Sequence, residues 1–162
     1  MNIVLAGMPG SGKTTVAKAL ARLGFAVYDT DEEIVKEHGA INEIFSRFGE
    51  EYFRDIESRT VEKLSALSGA VIATGGGCLL RAENTAALKR DGKIVFLRTT
   101  PETLIRRVEG NSERPLLIGV ASEKINELYK TRQPIYEKAA DIIVDTDGLS
   151  PDEIARIITE RI

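Results

Sequence analysis

The chain has 162 residues and one cysteine; 43% of its residues are hydrophobic, 29% are charged, and the net charge is −3. The length suits one domain with a single core, and the lone Cys78 excludes an internal disulfide and a cysteine-based metal cluster. The acidic net charge argues against a non-specific nucleic-acid binder. No apolar run reaches ~20 residues, and no leader-like segment opens the chain. We therefore expect a cytoplasmic protein with no membrane partner.

The stretch at residues 7–14, Gly-Met-Pro-Gly-Ser-Gly-Lys-Thr, has the form of a phosphate-binding loop. It follows a strand predicted at 2–6, apolar on both faces as in the centre of a sheet, and it precedes a helix predicted to begin near Lys13 and to end at Gly24. Glycines allow backbone N–H groups to surround phosphate oxygens, and the positive end of the helix dipole points at the same anion. A plain strand–turn–helix does not require the Gly-Lys-Thr order. We therefore predict that Lys13 reaches the terminal phosphates of a nucleotide and that the Thr14 hydroxyl ligates Mg²⁺.

Two aspartates follow the second predicted strand, at 25–28, in the sequence Asp29-Thr30-Asp31. Residues two apart in an extended chain face the same side, and ligands bind where the carboxyl ends of parallel strands meet. We therefore expect both carboxylates to face the nucleotide site. The alternative is that Asp31 only caps a helix predicted at 32–37.

Helices are predicted at 41–48 and 50–67, and the second carries Arg54 and Glu57 three residues apart. On spacing alone this pair is a surface salt bridge worth under about 1 kcal/mol.

The third predicted strand, at 70–73, runs into Gly75-Gly76-Gly77. Such glycines serve where backbone must approach a ligand closely, and a flexible turn is the alternative.

The second half of the chain continues the alternation of helices and strands. Helices are predicted at 83–90, 101–108, 122–139 and 151–162, and strands at 93–97 and 141–145. The last helix starts with a capping box at Ser150-Pro151-Asp152-Glu153. The helical pattern at 122–139 is interrupted around Pro134, so Arg132 is expected at a kink or a helix end. Strands alternating with helices predict an α/β protein, a three-layer α/β/α sandwich.

Residues 109–119 lack regular periodicity and have glycines near both ends, which is typical of a mobile lid. Arg114 in this segment either swings onto transferring phosphates or is an ordinary exposed loop arginine.

Taken together, these motifs make the whole chain resemble the shikimate kinase family. The residues that carry the resemblance are Gly7 to Thr14, Asp29-Thr30-Asp31, Gly49-Glu50 with Phe53-Arg54 and Glu57, Gly75-Gly76-Gly77, Arg114-Pro115-Leu116-Leu117, and Arg132 with Pro134 and Tyr136. The phosphate loop alone is shared by many kinases and ATPases, whereas the ordered set is highly specific. The resemblance implies a single domain over 1–162 with the P-loop kinase fold and a five-stranded parallel sheet. It also implies a lid at about 109–122, a shikimate-binding helical region at about 31–60, and transfer of the γ-phosphoryl of ATP to the 3-hydroxyl of shikimate, in the pathway to chorismate and the aromatic amino acids.

The resemblance also implies a role for each matching residue. ATP is expected at Gly10, Ser11, Gly12, Lys13, Thr14, Thr15, Arg107 and Arg114, with Arg107 against adenine and Arg114 closing from the lid. Mg²⁺ is expected at Thr14 and, through water, at Asp29. Shikimate is expected at Asp31, Arg54, Gly76 and Arg132, where the two arginines clamp the carboxylate and Asp31 grips hydroxyls as the candidate base. Asp31, Lys13 and Arg114 form the predicted catalytic set, and the family implies a monomer.

One stretch departs from the family pattern. Many relatives carry an arginine after the fifth strand, near the adenine, whereas this chain has Asp145-Thr146-Asp147-Gly148. Backbone or apolar packing would have to replace that contact.

Two other functions remain open at this point. A gluconate or nucleoside monophosphate kinase on the same scaffold is one alternative, although a pair of arginines suits a carboxylate better than a nucleotide acceptor. A nucleotide-dependent switch without catalysis is the other. The chain lacks the Asn-Lys-x-Asp guanine reader of a GTPase, and it keeps both Asp31 and Arg114.

Overall fold

Within residues 1–110 and 118–162, which the computed structural model describes, five parallel strands form one sheet in the order β2-β3-β1-β4-β5. The strands are β1 Asn2–Ala6, β2 Ala26–Asp29, β3 Ala70–Ala73, β4 Gly92–Arg98 and β5 Ile142–Asp145. All of β1 is buried, and it pairs with β3 on one side and β4 on the other, which confirms the predicted central strand. Because every pairing is parallel, the carboxyl ends of the strands meet at one edge.

Helices cover both faces of this sheet. They are α1 Lys13–Arg22, α2 Thr30–His38, α3 Ile41–Phe48, α4 Glu50–Ser65, α5 Ala82–Lys89, α6 Pro101–Gly110, α7 Ile118–Ala139 and α8 Pro151–Arg161, with a short 3-10 helix at Cys78–Leu80. One core cluster joins Leu5 on the sheet to Leu20 of α1 and Ile158 of α8. The cluster on the opposite face joins Phe96 to Val61 of α4 and residues of α5 and α7. The predicted three-layer α/β/α sandwich is therefore confirmed.

A smaller core holds α2, α3 and α4 together beyond the edge of the sheet. It consists of Ile34, Ile44, Phe53 and Ile56, all buried. This helical region fixes the direction in which the start of α4 faces the sheet edge.

Two helix ends follow their sequence signals. Gly24 has φ +100°, and its N–H donates to Ala21 O at 3.0 Å, closing the end of α1 as predicted. The Ser150 hydroxyl accepts a hydrogen bond from Glu153 N at 3.1 Å, which confirms the cap of α8.

The predicted interruption around Pro134 is wrong, because α7 is one helix from Ile118 to Ala139 with the proline inside it. Proline removes one helical hydrogen bond, but Tyr136 and Ala139 are buried against the sheet core, and this packing keeps the helix in place.

Helix α7 also begins before residue 122. Of the predicted lid, residues 109–110 belong to α6 and 118–122 to α7, whereas 111–117 lie outside the described residues.

Within residues 1–110 and 118–162, none of the helices combines the length and the apolar character needed to cross a membrane.

Candidate active site

The phosphate-binding loop joins β1 to α1 at the carboxyl edge of the sheet. Gly10 and Gly12 have φ of +83° and +94°, in the left-handed region that favours glycine. A cavity of about 460 Å³ opens above the loop, lined by Gly10, Gly12, Lys13, Thr14, Thr15 and Arg107. These residues, all predicted to bind the nucleotide, therefore line a single cavity. Ser11 is the exception: it is buried, and its N–H donates to Met8 O at 3.0 Å.

Lys13 lies folded back over its own loop. Its Nζ donates to Gly7 O at 2.6 Å and to Met8 O at 3.0 Å. Burial lowers the pKa of Lys13 to about 8, against the opposing fields of Asp31 and Asp29. The ammonium thus belongs to the same charge cluster as the two aspartates.

The junction of β2 and α2 differs from the predicted geometry. Asp29 is the last extended residue, and its Oδ1 accepts hydrogen bonds from Asp31 N at 2.9 Å and Glu32 N at 3.1 Å. Asp29 is therefore the helix cap, and both the extended Asp-Thr-Asp and the capping role of Asp31 are wrong. The physical reason is that a carboxylate just before a helix satisfies its free N–H groups, so the helix begins at Thr30. The charges of both carboxylates nevertheless raise the pKa of Lys13, as expected for groups close to the phosphate-binding loop.

The carboxyl of Asp31 is partly desolvated. Burial and the neighbouring Asp29 raise its pKa, while Lys13 and Arg54 oppose the rise. A carboxyl whose pKa is raised in this way is a better proton acceptor than an exposed aspartate.

The three glycines after β3 each lie against one predicted shikimate residue. A Cβ added at Gly75 would lie 2.8 Å from Asp31 Oδ1, and one at Gly76 would lie 2.8 Å from a terminal nitrogen of Arg132. At Gly77 it would lie 2.5 Å from a terminal nitrogen of Arg54. The glycine loop, residues 75–77, is thus packed against three charged side chains and is not merely a flexible turn.

Arg54 and Glu57 form a buried pair, so the predicted surface salt bridge is wrong. Their side chains are 14% and 1% exposed, and Arg54 Nη1 lies 2.9 Å from Glu57 Oε1. Burial raises the pKa of Glu57, and the hydrogen bond from Arg54 opposes that rise. Spacing predicted the pair but not its burial, which arises because this face of α4 turns toward the glycine loop. The Cζ atom of the Arg54 guanidinium lies over the Phe53 ring, 5.3 Å from its centre.

Thr14 and Asp29 line a second cavity, of about 140 Å³, beside the phosphate loop. Asp29 Oδ1 is used by backbone N–H groups, which leaves Oδ2 to accept from a water. No cluster of three or more His, Cys, Asp or Glu able to hold a metal occurs among the described residues. Two oxygen donors fit a magnesium ion that would take most of its ligands from phosphates and water, and Thr14 and Asp29 are the residues of this cavity that could hold one.

The predicted adenine side of the site has its own contacts. Arg107 of α6 donates to Gly10 O at 2.6 Å, so it lies on the phosphate loop. In the loop after β5, Asp147 accepts from the Thr100 hydroxyl at 2.6 Å and from Thr100 N at 3.3 Å. Asp147 therefore ties this loop to the start of α6. Arg114 lies outside the described residues.

Sequence reasoning missed the role of Thr30. This residue is fully buried, and its hydroxyl accepts a hydrogen bond from Gly75 N at 2.9 Å, linking α2 to the glycine loop. Its place between two candidate functional aspartates was the only available signal.

Comparisons with known proteins agree on one family. A sequence model described as shikimate kinase matches residues 9–162. The shikimate kinases of Thermodesulfovibrio yellowstonii and Persephonella marina are 48% and 45% identical to the chain, over 99% of it and 94% and 98% of their own lengths. The solved structure of shikimate kinase from Acinetobacter baumannii in complex with shikimate superposes with a TM-score of 0.88 at 36% identity, covering 98% of this chain and 90% of that one.

Proposed function

The chain belongs to the shikimate kinase family of ATP-dependent kinases that transfer phosphate to shikimate, and we propose that it acts on the 3-hydroxyl through the residues described above. The observation that carries this assignment of residues is the glycine loop. Asp31, Arg132 and Arg54 converge on three consecutive glycines, next to the phosphate loop. A carbocyclic acid with several hydroxyls matches two cations and one carboxylate arranged in this way.

The nucleotide half of the proposal uses the larger cavity. The triphosphate lies over Gly10–Thr15, with Lys13 released from the carbonyls of Gly7 and Met8 to reach the terminal phosphates. Arg107 lies at the base side of the same cavity, and Arg114 is proposed to approach the transferring phosphoryl from the segment before α7. Thr14 and Asp29 are the residues that would hold Mg²⁺, and the ion would supply charge neutralisation during phosphoryl transfer.

The acceptor half uses the glycine loop. Arg54 and Arg132 hold the carboxylate of shikimate, and Gly76 allows the ring to approach the backbone. Glu57 keeps the Arg54 guanidinium oriented and partly neutralises its charge. Proximity and alignment are the main contributions of these residues to the rate.

The transfer itself makes one bond and breaks one. The acceptor oxygen bonds to the γ-phosphorus, the bond from that phosphorus to the β–γ bridging oxygen breaks, and ADP leaves with the bonding electrons. The proton of the acceptor hydroxyl passes to Asp31, whose raised pKa suits it to accept one. Lys13 stabilises the negative charge on the phosphates throughout.

A coupled assay of ADP release tests the function. ADP release should require shikimate and Mg²⁺ together, and gluconate or nucleoside monophosphates should not replace shikimate.

The Asp31→Asn variant should bind the nucleotide normally in calorimetry but turn over roughly 10²–10⁴-fold more slowly, since the base is lost and the shape is kept. Glu33→Gln, a change at a partly exposed carboxylate of the same helix that pairs with Lys36, is the matched control. Near-normal turnover by Asp31→Asn would contradict the base assignment, and equal turnover with gluconate would contradict the substrate.

The oligomeric state and location stay predictions. We propose a monomer, which light scattering across a range of protein concentrations would test, and a cytoplasmic location that needs no membrane or nucleic-acid partner.

A further inference from the structure

A buried tyrosine hydroxyl connects α7 to the glycine loop. Tyr136 is 2% exposed, and its hydroxyl donates to the carbonyl of Gly76 at 2.6 Å. The residue lies four positions after Arg132, so both side chains leave the same face of the helix. The ring packs on Phe96 of β4, with centroids 5.2 Å apart, which fixes where the hydroxyl points.

The Arg132 guanidinium lies against the same glycine, since a Cβ added at Gly76 would lie 2.8 Å from one of its terminal nitrogens. Burial raises the pKa of Tyr136, and the charge and hydrogen bond of Arg132 oppose that rise. The phenol oxygen can accept from the arginine while its proton goes to Gly76, so one group serves both partners. Tyr136 and Arg132 therefore both meet the glycine loop at Gly76, the tyrosine through a hydrogen bond to the backbone and the arginine through close packing.

The glycine loop needs such an anchor, because three successive glycines have more backbone freedom than any other tripeptide. Gly75 is held at both ends: its N–H donates to Thr30, and its carbonyl accepts from Cys78 N at 3.1 Å. The carbonyl of Gly77 accepts from Leu80 N at 3.1 Å. In the described part of the chain, the donor found for the carbonyl of Gly76 is the Tyr136 hydroxyl.

We propose that Tyr136 is a positioning residue that sets the affinity for shikimate, by holding Gly76 and Arg132 in the arrangement that receives the acid. This inference rests on the proposed function. The hydrogen bond of its hydroxyl goes to the glycine loop and not to the phosphate-binding loop, so loss of the hydroxyl should leave nucleotide binding and phosphate transfer at saturating shikimate nearly unchanged. A merely structural tyrosine would instead lower stability and affect both substrates alike.

The test compares Tyr136→Phe with Tyr129→Phe. Both remove one hydroxyl from α7, but Tyr129 is two turns away from the glycine loop. Tyr136→Phe should raise KM for shikimate roughly 3–10-fold, the loss of about one hydrogen bond, and change KM for ATP and kcat by less than about 2-fold. Tyr129→Phe should leave all three values near those of the parent protein.

Hydrogen exchange in the ligand-free protein gives a readout that does not depend on activity. Amides of residues 74–80 should exchange faster in Tyr136→Phe than in the parent protein, and at the parent rate in Tyr129→Phe. Unchanged exchange there, equal losses for both substrates, or global unfolding of Tyr136→Phe would each overturn the proposal. If the parent protein failed to phosphorylate shikimate, the function would be wrong, while the exchange experiment would still decide whether Tyr136 anchors the loop.

Discussion

Gly77 is needed for space and not for backbone freedom. Its φ of −97° and ψ of 4° are open to any residue, yet an added Cβ would lie 2.5 and 2.6 Å from the two terminal nitrogens of Arg54. One of these nitrogens, Nη1, also lies 2.9 Å from Glu57 Oε1, which holds the guanidinium in place. It therefore has to leave its position if residue 77 gains a methyl group.

Gly77→Ala should accordingly raise KM for shikimate about 10–100-fold, comparable to the loss of an interaction with a charged group, and leave ADP affinity unchanged. Steady-state kinetics and calorimetry with ADP measure the two effects. The double variant Gly77→Ala/Arg54→Ala provides the control, since alanine at 77 should add little once the guanidinium is gone. Additive losses in this cycle would mean that Gly77 acts through something other than Arg54.

At the residue scale, the sequence predicts which side chains form the site better than it predicts which of them are buried. The Gly-Lys-Thr order predicts where Lys13 and Thr14 lie, because local backbone geometry determines both positions. Arg54 and Glu57 could be recognised only as an (i, i+3) pair, since nothing local indicates which face of α4 turns inward. Residue-level patterns therefore identified the partners and missed their environment.

The junction between β2 and α2 is the element on which the glycine loop depends. Thr30, the first residue of α2, is fully buried and accepts from Gly75 N. Without that hydroxyl, the N–H of Gly75 would be left without its partner. An unsatisfied buried donor costs more than the bond itself contributes.

Thr30→Val, which keeps the shape and removes the hydroxyl, should therefore lower the free energy of unfolding by about 1–3 kcal/mol. Thr60→Val is the matched control, because the Thr60 hydroxyl bonds only to Ile56 O of its own helix, so a smaller loss is expected. Urea denaturation of both variants measures the difference. The proposed link would be refuted if the two variants were equally stable.

The elements themselves were largely predictable, and their exceptions have local causes. Periodicity and caps placed the strands and helices, including α3 at the predicted residues 41–48. The start of α2 was missed because Asp29 competes with Asp31 for the cap, and propensity alone does not decide between them. The continuity of α7 through Pro134 was missed because burial of Tyr136 and Ala139 overrides a local breaker.

Across the whole molecule, the site is assembled from segments far apart in the chain. The phosphate loop precedes α1, the aspartates open α2, Arg54 lies on α4, and Arg132 lies on α7. Parallel pairing brings the loops to one sheet edge, as the alternation of strands and helices predicted. Which glycine meets which charged group could not be predicted, since that depends on the packing of three layers.

We expect this assembly to make nucleotide affinity depend on pH through Lys13. Burial lowers its pKa to about 8, with Asp31 and Asp29 raising it and Arg132 lowering it further. The lysine is charged below that pH and loses its proton as the pH rises through it, and only the charged form attracts phosphate. Phosphate groups lose their last proton near pH ~6, so a change in affinity around pH 8 belongs to the protein.

The Kd for ADP should therefore be nearly constant below about pH 8 and rise above it, approaching tenfold per pH unit. Calorimetric titrations across this pH range measure the Kd, and Lys13→Arg is the control because a guanidinium stays charged.

Bound shikimate should move the inflection of this profile to higher pH, since its carboxylate offsets the charge of Arg132. A flat profile in the parent protein, or an identical inflection in Lys13→Arg, would show that Lys13 does not titrate there. An inflection unmoved by shikimate would show that the two halves of the site are electrostatically independent.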